Sequence, residues 1–469
     1  MRGLTTALAL AATVATSEAI NLAKRSDAPP RVVQHDIQRK ETTMNPVLRD
    51  SLRKKRSLSR RATITQTLDN EETLYFANVS MGTPEQTLRL HLDTGSSDLW
   101  VNVQDSTWCT SKENDCVGGY YSPNKSSTYE YVNSLFNISY VDGSGSAGDY
   151  ATDVLHIGGA TLEQLQFGIG YTSSSDEGIM GIGYRTNEAI VESSPTTYAN
   201  VPAKMVQDGL ISSNAYSLWL NDLDASTGSI LFGGVNSDKY VGSLQTVPIL
   251  KEGNIYAEFI IALTAVGMNG KTGSVANNIQ TSALLDSGSS LMYLPDSIAT
   301  DIFDATGAVY DERQGAAFID CDAAYNDTTL DLTFSSPTIS ISMSELVIVA
   351  GYAGNMPLCI LGIAPAGEST PVLGDTFLRS AYVVYDLNNN EISLAQTNFN
   401  STSDNILEIT NGSVPDATGV ASAVSSVPSA TGGGRIEGPT VSSSGGASFM
   451  TAAPMLGAGA MAALGFLAL

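Results

Sequence analysis

Asp93-Thr94-Gly95-Ser96-Ser97 and Asp286-Ser287-Gly288-Ser289-Ser290 are two copies of one short motif, and their surroundings repeat too. Leu90 and Leu92 precede the first copy, and Leu284 and Leu285 precede the second. Each copy is followed at equal distance by two apolar residues and a glycine. Ile179-Met180-Gly181 ends 88 residues after Asp93, and Val372-Leu373-Gly374 ends 88 residues after Asp286. A single Asp-Thr-Gly-Ser is an ordinary turn. Two copies in the same order at the same spacing indicate an internal duplication, with two homologous β lobes meeting near residue 222.

The chain around the repeat reads as strand throughout, from about Thr63 to Asn398. Leu88-Arg89-Leu90-His91-Leu92 and Phe136-Asn137-Ile138-Ser139-Tyr140 alternate apolar with polar. Gly, Asn, Asp and Ser clusters interrupt these runs at short intervals, and no long stretch keeps a helical period. The expectation is an all-β, bilobal fold. Its N-terminal lobe spans 62–222 and its C-terminal lobe 223–398.

Two aspartates at matching points of a duplicated fold suit hydrolysis by an activated water. When two carboxyls share one proton, one pKa falls and the other rises. The ionised partner draws a proton from water, and the protonated one polarises the substrate carbonyl. The titration belongs to the pair. Asp93 and Asp286 are therefore the candidate catalytic residues. Gly95 and Gly288 let the backbone run close to the carboxylates. Thr94 and Ser287 can pin the two turns together from behind. Ser96 and Ser289 can hydrogen-bond the outer carboxylate oxygens. This chemistry calls for no metal or cofactor.

Four stretches carry a family resemblance: Phe76-Ala77-Asn78-Val79-Ser80-Met81-Gly82-Thr83-Pro84, Asp93-Thr94-Gly95-Ser96-Ser97-Asp98-Leu99-Trp100, Gly178-Ile179-Met180-Gly181-Ile182-Gly183 and Val372-Leu373-Gly374-Asp375. Residues 75–398 resemble pepsin-like aspartic proteases along their length. The resemblance implies a cleft between the lobes, with a hairpin flap over it. Tyr140 matches the flap tyrosine, and Trp100 matches the tryptophan whose indole N–H holds it. Val141 stands where many members have glycine. Asp142, next to Gly143, matches a position that faces the substrate side chain just before the cut. A carboxylate there would favour Lys or Arg.

Other motifs lead nowhere. Gly143-Ser144-Gly145-Ser146-Ala147-Gly148 fits G-x-G-x-x-G, but a strand-like run follows it rather than a helix. There is no H-E-x-x-H and no G-x-S-x-G, which argues against a zinc protease and a serine hydrolase. Asp375 reads as a structural residue in its turn.

The 469 residues carry a net charge of −24, unevenly spread. Residues 1–61 hold 13 of the 24 Lys and Arg and 5 of the 48 Asp and Glu, so the rest has 11 basic and 43 acidic groups, a net of −32. So acidic a body excludes nucleic acid as a partner, because phosphate binding needs a basic face. It fits either a soluble protein adapted to acidic surroundings or a negative cleft that attracts basic peptides; the expected partners are peptide or protein substrates, with the chain a monomer. Arg2, the apolar run Leu4–Val14 and the small residues ending at Ala19 read as a secretory signal over 1–19. Residues 20–61 read as a basic propeptide, cut after Arg61 by a protease that recognises paired basic residues. Six sequons, at Asn78, Asn124, Asn137, Asn326, Asn400 and Asn411, fit an exported glycoprotein. Four cysteines then give two disulfides. Cys109–Cys116 and Cys321–Cys359 are expected, one per lobe, because a cross-lobe bridge would oppose motion between lobes.

Ser, Thr, Gly, Val and Ala dominate beyond Phe399, so 399–445 is expected to be a disordered stalk. Ser444, Gly445 and Gly446, a spacer through Pro454 and the apolar run Met455–Leu469 read as a glycosylphosphatidylinositol signal. Attachment is expected at Gly445, with 446–469 removed, as in yapsin-like proteases. The protein is expected on the outer face of the plasma membrane or in the wall. Two alternatives compete with an active protease. One is a non-catalytic pepsin-fold binding protein, which would show a broken Asp-x-Gly. The other is a wall protein working through its stalk, which would need a longer, repetitive stalk.

Overall fold

The computed structural model describes residues 29–39, 74–110, 116–140, 144–225, 227–353, 356–410 and 412–427. The expected signal, most of the expected propeptide, Asp142, Gly143, Asn411 and Gly445 lie outside these residues.

Leu88, Leu90 and Leu92 turn into the main core from the strand Gln86–Asp93, which delivers Asp93 at its last position. That strand lies between antiparallel Tyr75–Met81 and parallel Gly178–Gly181, with Asp93 opposite Gly181. Gly178–Gly181 in turn pairs antiparallel with Leu99–Asn102, which runs parallel to Ala160–Ser173. The C-terminal half repeats the arrangement. Thr281–Leu285 lies between antiparallel Ile260–Leu263 and parallel Val372–Leu373. Val372–Leu373 pairs antiparallel with Met292–Leu294, which runs parallel to Ile363–Pro365.

This duplication explains the recurring spacing of 88. The apolar-apolar-Gly strand threads between the strand before each aspartate and the strand after it. The glycines are needed for room. A Cβ on Gly181 would fall 2.6 Å from the Ser97 and Asp98 backbone nitrogens, and one on Gly374 2.3 Å from the Ser289 oxygen.

The halves share one sheet, in which Tyr240–Pro248, Glu391–Thr397, Ala381–Asp386, Ala215–Trp219, Thr227–Phe232, Val33–Arg39 and Tyr75–Met81 lie side by side. Residue 222 sits in the connection between two neighbouring strands of this sheet. The disulfides Cys109–Cys116 and Cys321–Cys359 join the expected pairs. Glu130–Ser139 and Gly145–Ile157 form an antiparallel hairpin, so the rejected glycine-rich motif opens a strand. Among the described residues one helix is longer than two turns, Asp296–Thr306. It buries Ile298, Ala299, Ile302 and Phe303 and ends at Gly307 in the left-handed conformation (φ 76°).

Two regions differ from the sequence expectation. Val33–Arg39, inside the expected propeptide, is an internal strand with Val33 and Ile37 buried. Val33 and Ile37 are its two apolar residues, too few to mark a strand among the basic residues around it. The expected disorder from 399 does not hold through 427. Ile406–Glu408 pairs with Gly234–Asn236, and Ala417–Gly419 with Tyr240–Pro248. Ile409 and Val414 are buried with Trp219, Val235, Tyr240, Tyr382 and Val384. Lys239 Nζ lies 4.5 Å from the Trp219 ring centroid, donates to the Ser401 carbonyl at 2.7 Å and pairs with Asp404 at 3.3 Å. The average composition of 399–445 concealed a first part with enough apolar residues to dock.

Candidate active site

Each aspartate is held by its own turn in the same way. Gly95 N–H donates to Asp93 Oδ1 at 2.8 Å, and Gly288 N–H to Asp286 Oδ1 at 2.8 Å. Ser96 Oγ donates to Asp93 Oδ2 at 2.5 Å, and Ser289 Oγ to Asp286 Oδ2 at 2.7 Å. Behind them the turns interlock. Thr94 Oγ1 donates to the Leu285 carbonyl (2.9 Å) and accepts from Ser287 N–H (2.9 Å). Ser287 Oγ donates to the Leu92 carbonyl (3.0 Å) and accepts from Thr94 N–H (3.1 Å). Four buried hydrogen bonds thus cross between the halves through two hydroxyls.

The carboxyls meet because the glycines make way. A Cβ on Gly95 would lie 2.5 Å from Asp286 Oδ1, and one on Gly288 2.5 Å from Asp93 Oδ1. Each glycine therefore faces the opposite carboxylate, and any larger residue would push the pair apart. The two side chains are within hydrogen-bonding reach of one another. Burial, and then the facing Asp286 carboxylate, push the Asp93 carboxyl well above the usual range, against the pull of its Ser96 and Gly95 hydrogen bonds. Such a pair holds one proton at a pH where two separate carboxyls would hold none.

A family model described as "Eukaryotic aspartyl protease" matches residues 74–397. The chain belongs to the eukaryotic aspartyl protease family. It is 55% identical over 422 residues to the probable aspartic-type endopeptidase OpsB of Aspergillus oryzae, covering 88% of this chain and 86% of that protein. It is 39% identical over 362 residues to secreted aspartic protease 1 of Candida albicans, covering 75% of this chain and 88% of that one. Its fold matches the crystal structure of the aspartic proteinase from Irpex lacteus at 24% identity and a TM-score of 0.59, over 71% of this chain and 97% of that one. The chain is accordingly an aspartic-type endopeptidase, acting on peptide or protein substrates.

Within this protease, Trp100 Nε1–H donates to the Tyr140 hydroxyl at 2.7 Å. Burial, and then the nearby Asp93, keep the Tyr140 phenol protonated, well above its ordinary value. The tyrosine thus stands near one member of the pair, with its hydroxyl also in reach of Ser96. The flap tip beyond it, with Asp142 and Gly143, lies outside the described residues. Asn78, Asn124, Asn137, Asn326 and Asn400 are all exposed. Asp375 is fully buried beneath the second turn, its N–H donating to the Ser289 carbonyl at 2.8 Å.

The sequence reading passed over three buried polar residues near the pair. Asp98 accepts from Tyr150 (2.8 Å), Tyr198 (2.8 Å) and the Ala189 amide (2.7 Å). Glu188 Oε2 accepts from the Tyr198 amide at 2.9 Å. His91 lies two residues before Asp93, and its Nε2 is 3.3 Å from the Ser287 carbonyl oxygen. A lone histidine in an otherwise leucine-lined strand, where the second copy has Leu284, was the available signal.

Proposed function

We propose that Asp93 and Asp286 share one proton and activate a water for peptide hydrolysis at acidic pH. One carboxylate takes the proton of the water as it attacks, and the other carboxyl donates to the developing oxyanion and passes its proton toward the leaving amine. The mutual approach of two mirrored Asp-x-Gly turns carries this reading, each glycine lying against the other carboxylate. Ser96 and Ser289 favour ionisation, Thr94 and Ser287 hold the turns in register, and Tyr140, fixed by Trp100, covers the pair. The test is acid proteolysis blocked by pepstatin. Purified processed protein without such activity would favour the non-catalytic binding alternative.

Finer points belong to the same proposal. The protein is exported as a latent precursor, glycosylated at exposed sequons and tethered through Gly445 outside the plasma membrane or in the wall. A secreted relative and the terminal sequence patterns support this. Because Val33–Arg39 occupies a sheet position, cutting after Arg61 leaves that strand seated by its backbone hydrogen bonds until it is displaced. N-terminal sequencing, with activity measured before and after processing, tests latency. Release from intact cells by a phosphatidylinositol-specific phospholipase tests the tether. Asp142 gives a preference for Lys or Arg at the cleaved position. An unchanged Lys-to-Leu ratio in Asp142→Ser would remove that idea.

A further inference from the structure

His91 is 5% exposed and points from the strand of Asp93 to the turn of Asp286. A carbonyl oxygen only accepts, so the contact with the Ser287 oxygen places a proton on Nε2, whether the ring is neutral or charged. Its strand neighbour Phe76 backs the ring, with centroids 5.5 Å apart. The Ser287 carbonyl belongs to the same peptide unit as the Gly288 N–H, which donates to Asp286 Oδ1 at 2.8 Å. A relay therefore runs from imidazole to C=O, and from N–H to carboxylate. A bond accepted at a peptide oxygen polarises the unit and strengthens donation from its N–H. The mirrored position, two residues before Asp286, is Leu284, which has no donor.

We propose that His91 is a positioning residue. It acts through the Ser287–Gly288 peptide to stabilise negative charge on the Asp286 side of the pair, so the pair gives up its first proton at a lower pH than a symmetric one would. This rests on Asp93 and Asp286 being the catalytic pair. The charged groups on the same strand are Arg89 and Asp93, and Asp286 faces from the second turn. Arg89 is bonded to Glu177 and lies 5.1 Å from the Phe76 ring centroid. The Phe76 side contributes an uncharged ring. The relay needs only the Nε2 proton, so it works in either charge state of the imidazole.

The test is the pH profile of kcat/KM for the processed enzyme on a peptide substrate. A hydrogen bond of ordinary net strength moves a carboxyl by a fraction of a pH unit to about one unit. His91→Leu should move the acidic limb upward by about 0.3–1 unit, a loss of about two- to tenfold below the limb that shrinks toward the optimum. His91→Gln, whose amide reaches as far as Nε2, should return the limb most of the way. If His91→Leu does not fold, His91→Asn, too short to reach Ser287, should show the same shift. An unmoved limb in a folded Leu or Asn variant overturns the proposal, as does an equal shift in His91→Gln. Either result, in an enzyme still blocked by pepstatin, leaves the pair itself intact. Activity in Asp286→Asn would instead remove the pair.

Discussion

Behind the Asp93 turn, Asp98 accepts hydrogen bonds from two tyrosines and an amide. Behind the Asp286 turn, Glu345 meets Arg379, with Nε to Oε2 at 2.6 Å and Nη2 donating to the Glu345 carbonyl at 2.6 Å. The turns themselves superpose bond for bond, yet their supports have opposite electrostatic character. In the N-terminal half burial raises the Asp98 carboxyl, and it pushes Glu188 up to about 8 despite the Tyr198 amide and nearby Arg185. Among the described residues neither forms an ion pair, and burial disfavours charge on both. In the C-terminal half the buried support is an ion pair and needs its charges. Duplication preserved the geometry of the paired turns, while the packing behind them diverged.

The largest expected effect treats the turns as equals. Asp93→Asn and Asp286→Asn should each lower kcat by at least about 10³-fold, since either change removes the shared-proton chemistry. Steady-state kinetics on purified, folded variants checks this, and full activity in either would end the two-carboxylate reading.

The next separates the supports. Arg379→Met strands a buried Glu345 and should cost about 3–5 kcal/mol, measured by urea unfolding near neutral pH. A loss below about 1 kcal/mol would mean the arginine acts by packing alone.

The interlock should respond evenly. Thr94→Val and Ser287→Ala each remove two of the four crossing hydrogen bonds, and each should cost about 1–3 kcal/mol. A difference of several-fold between the two losses would show that one half dominates the interlock.

The smallest effect belongs to Glu188. Its protonated form is favoured in the fold up to about pH 8, while the unfolded chain loses the proton near 4.5. The stability it supports is therefore full below about 4.5 and is lost as pH rises toward about 8. Glu188→Gln should raise the melting temperature by a few degrees near pH 7.5 and leave it nearly unchanged at pH 4. No gain at the higher pH would place the sensitivity elsewhere, with Asp98 the first alternative.

The duplication was legible in the sequence because a two-fold repeat of a fold repeats its tight places. Gly181 and Gly374 recur at the same distance from their aspartates because both mark a backbone crossing with no room for a Cβ. That Thr94 and Ser287 could pin the two turns together was legible from the motif; which atoms they bond was not. Two other features were less legible. Residues 399–427 were misread because low-complexity composition was averaged over a segment whose few apolar residues, Ile409 and Val414, decide its docking. Val33–Arg39 left little signal, because Val33 and Ile37 are the two apolar residues of a run with basic neighbours.

The sequence alone determined the family, the bilobal β architecture and the paired aspartates, because these depend on short local motifs and their separation along the chain. The tertiary structure decided what surrounds the pair. His91 reaches a carbonyl 196 residues away, Arg379 meets Glu345 across 34, and Lys239 holds the chain near Ser401 across 162. Such contacts leave no spacing rule in the sequence. Which buried group faces which is fixed by how strands from distant parts of the chain come to lie side by side, and burial then sets which of those groups keep a charge.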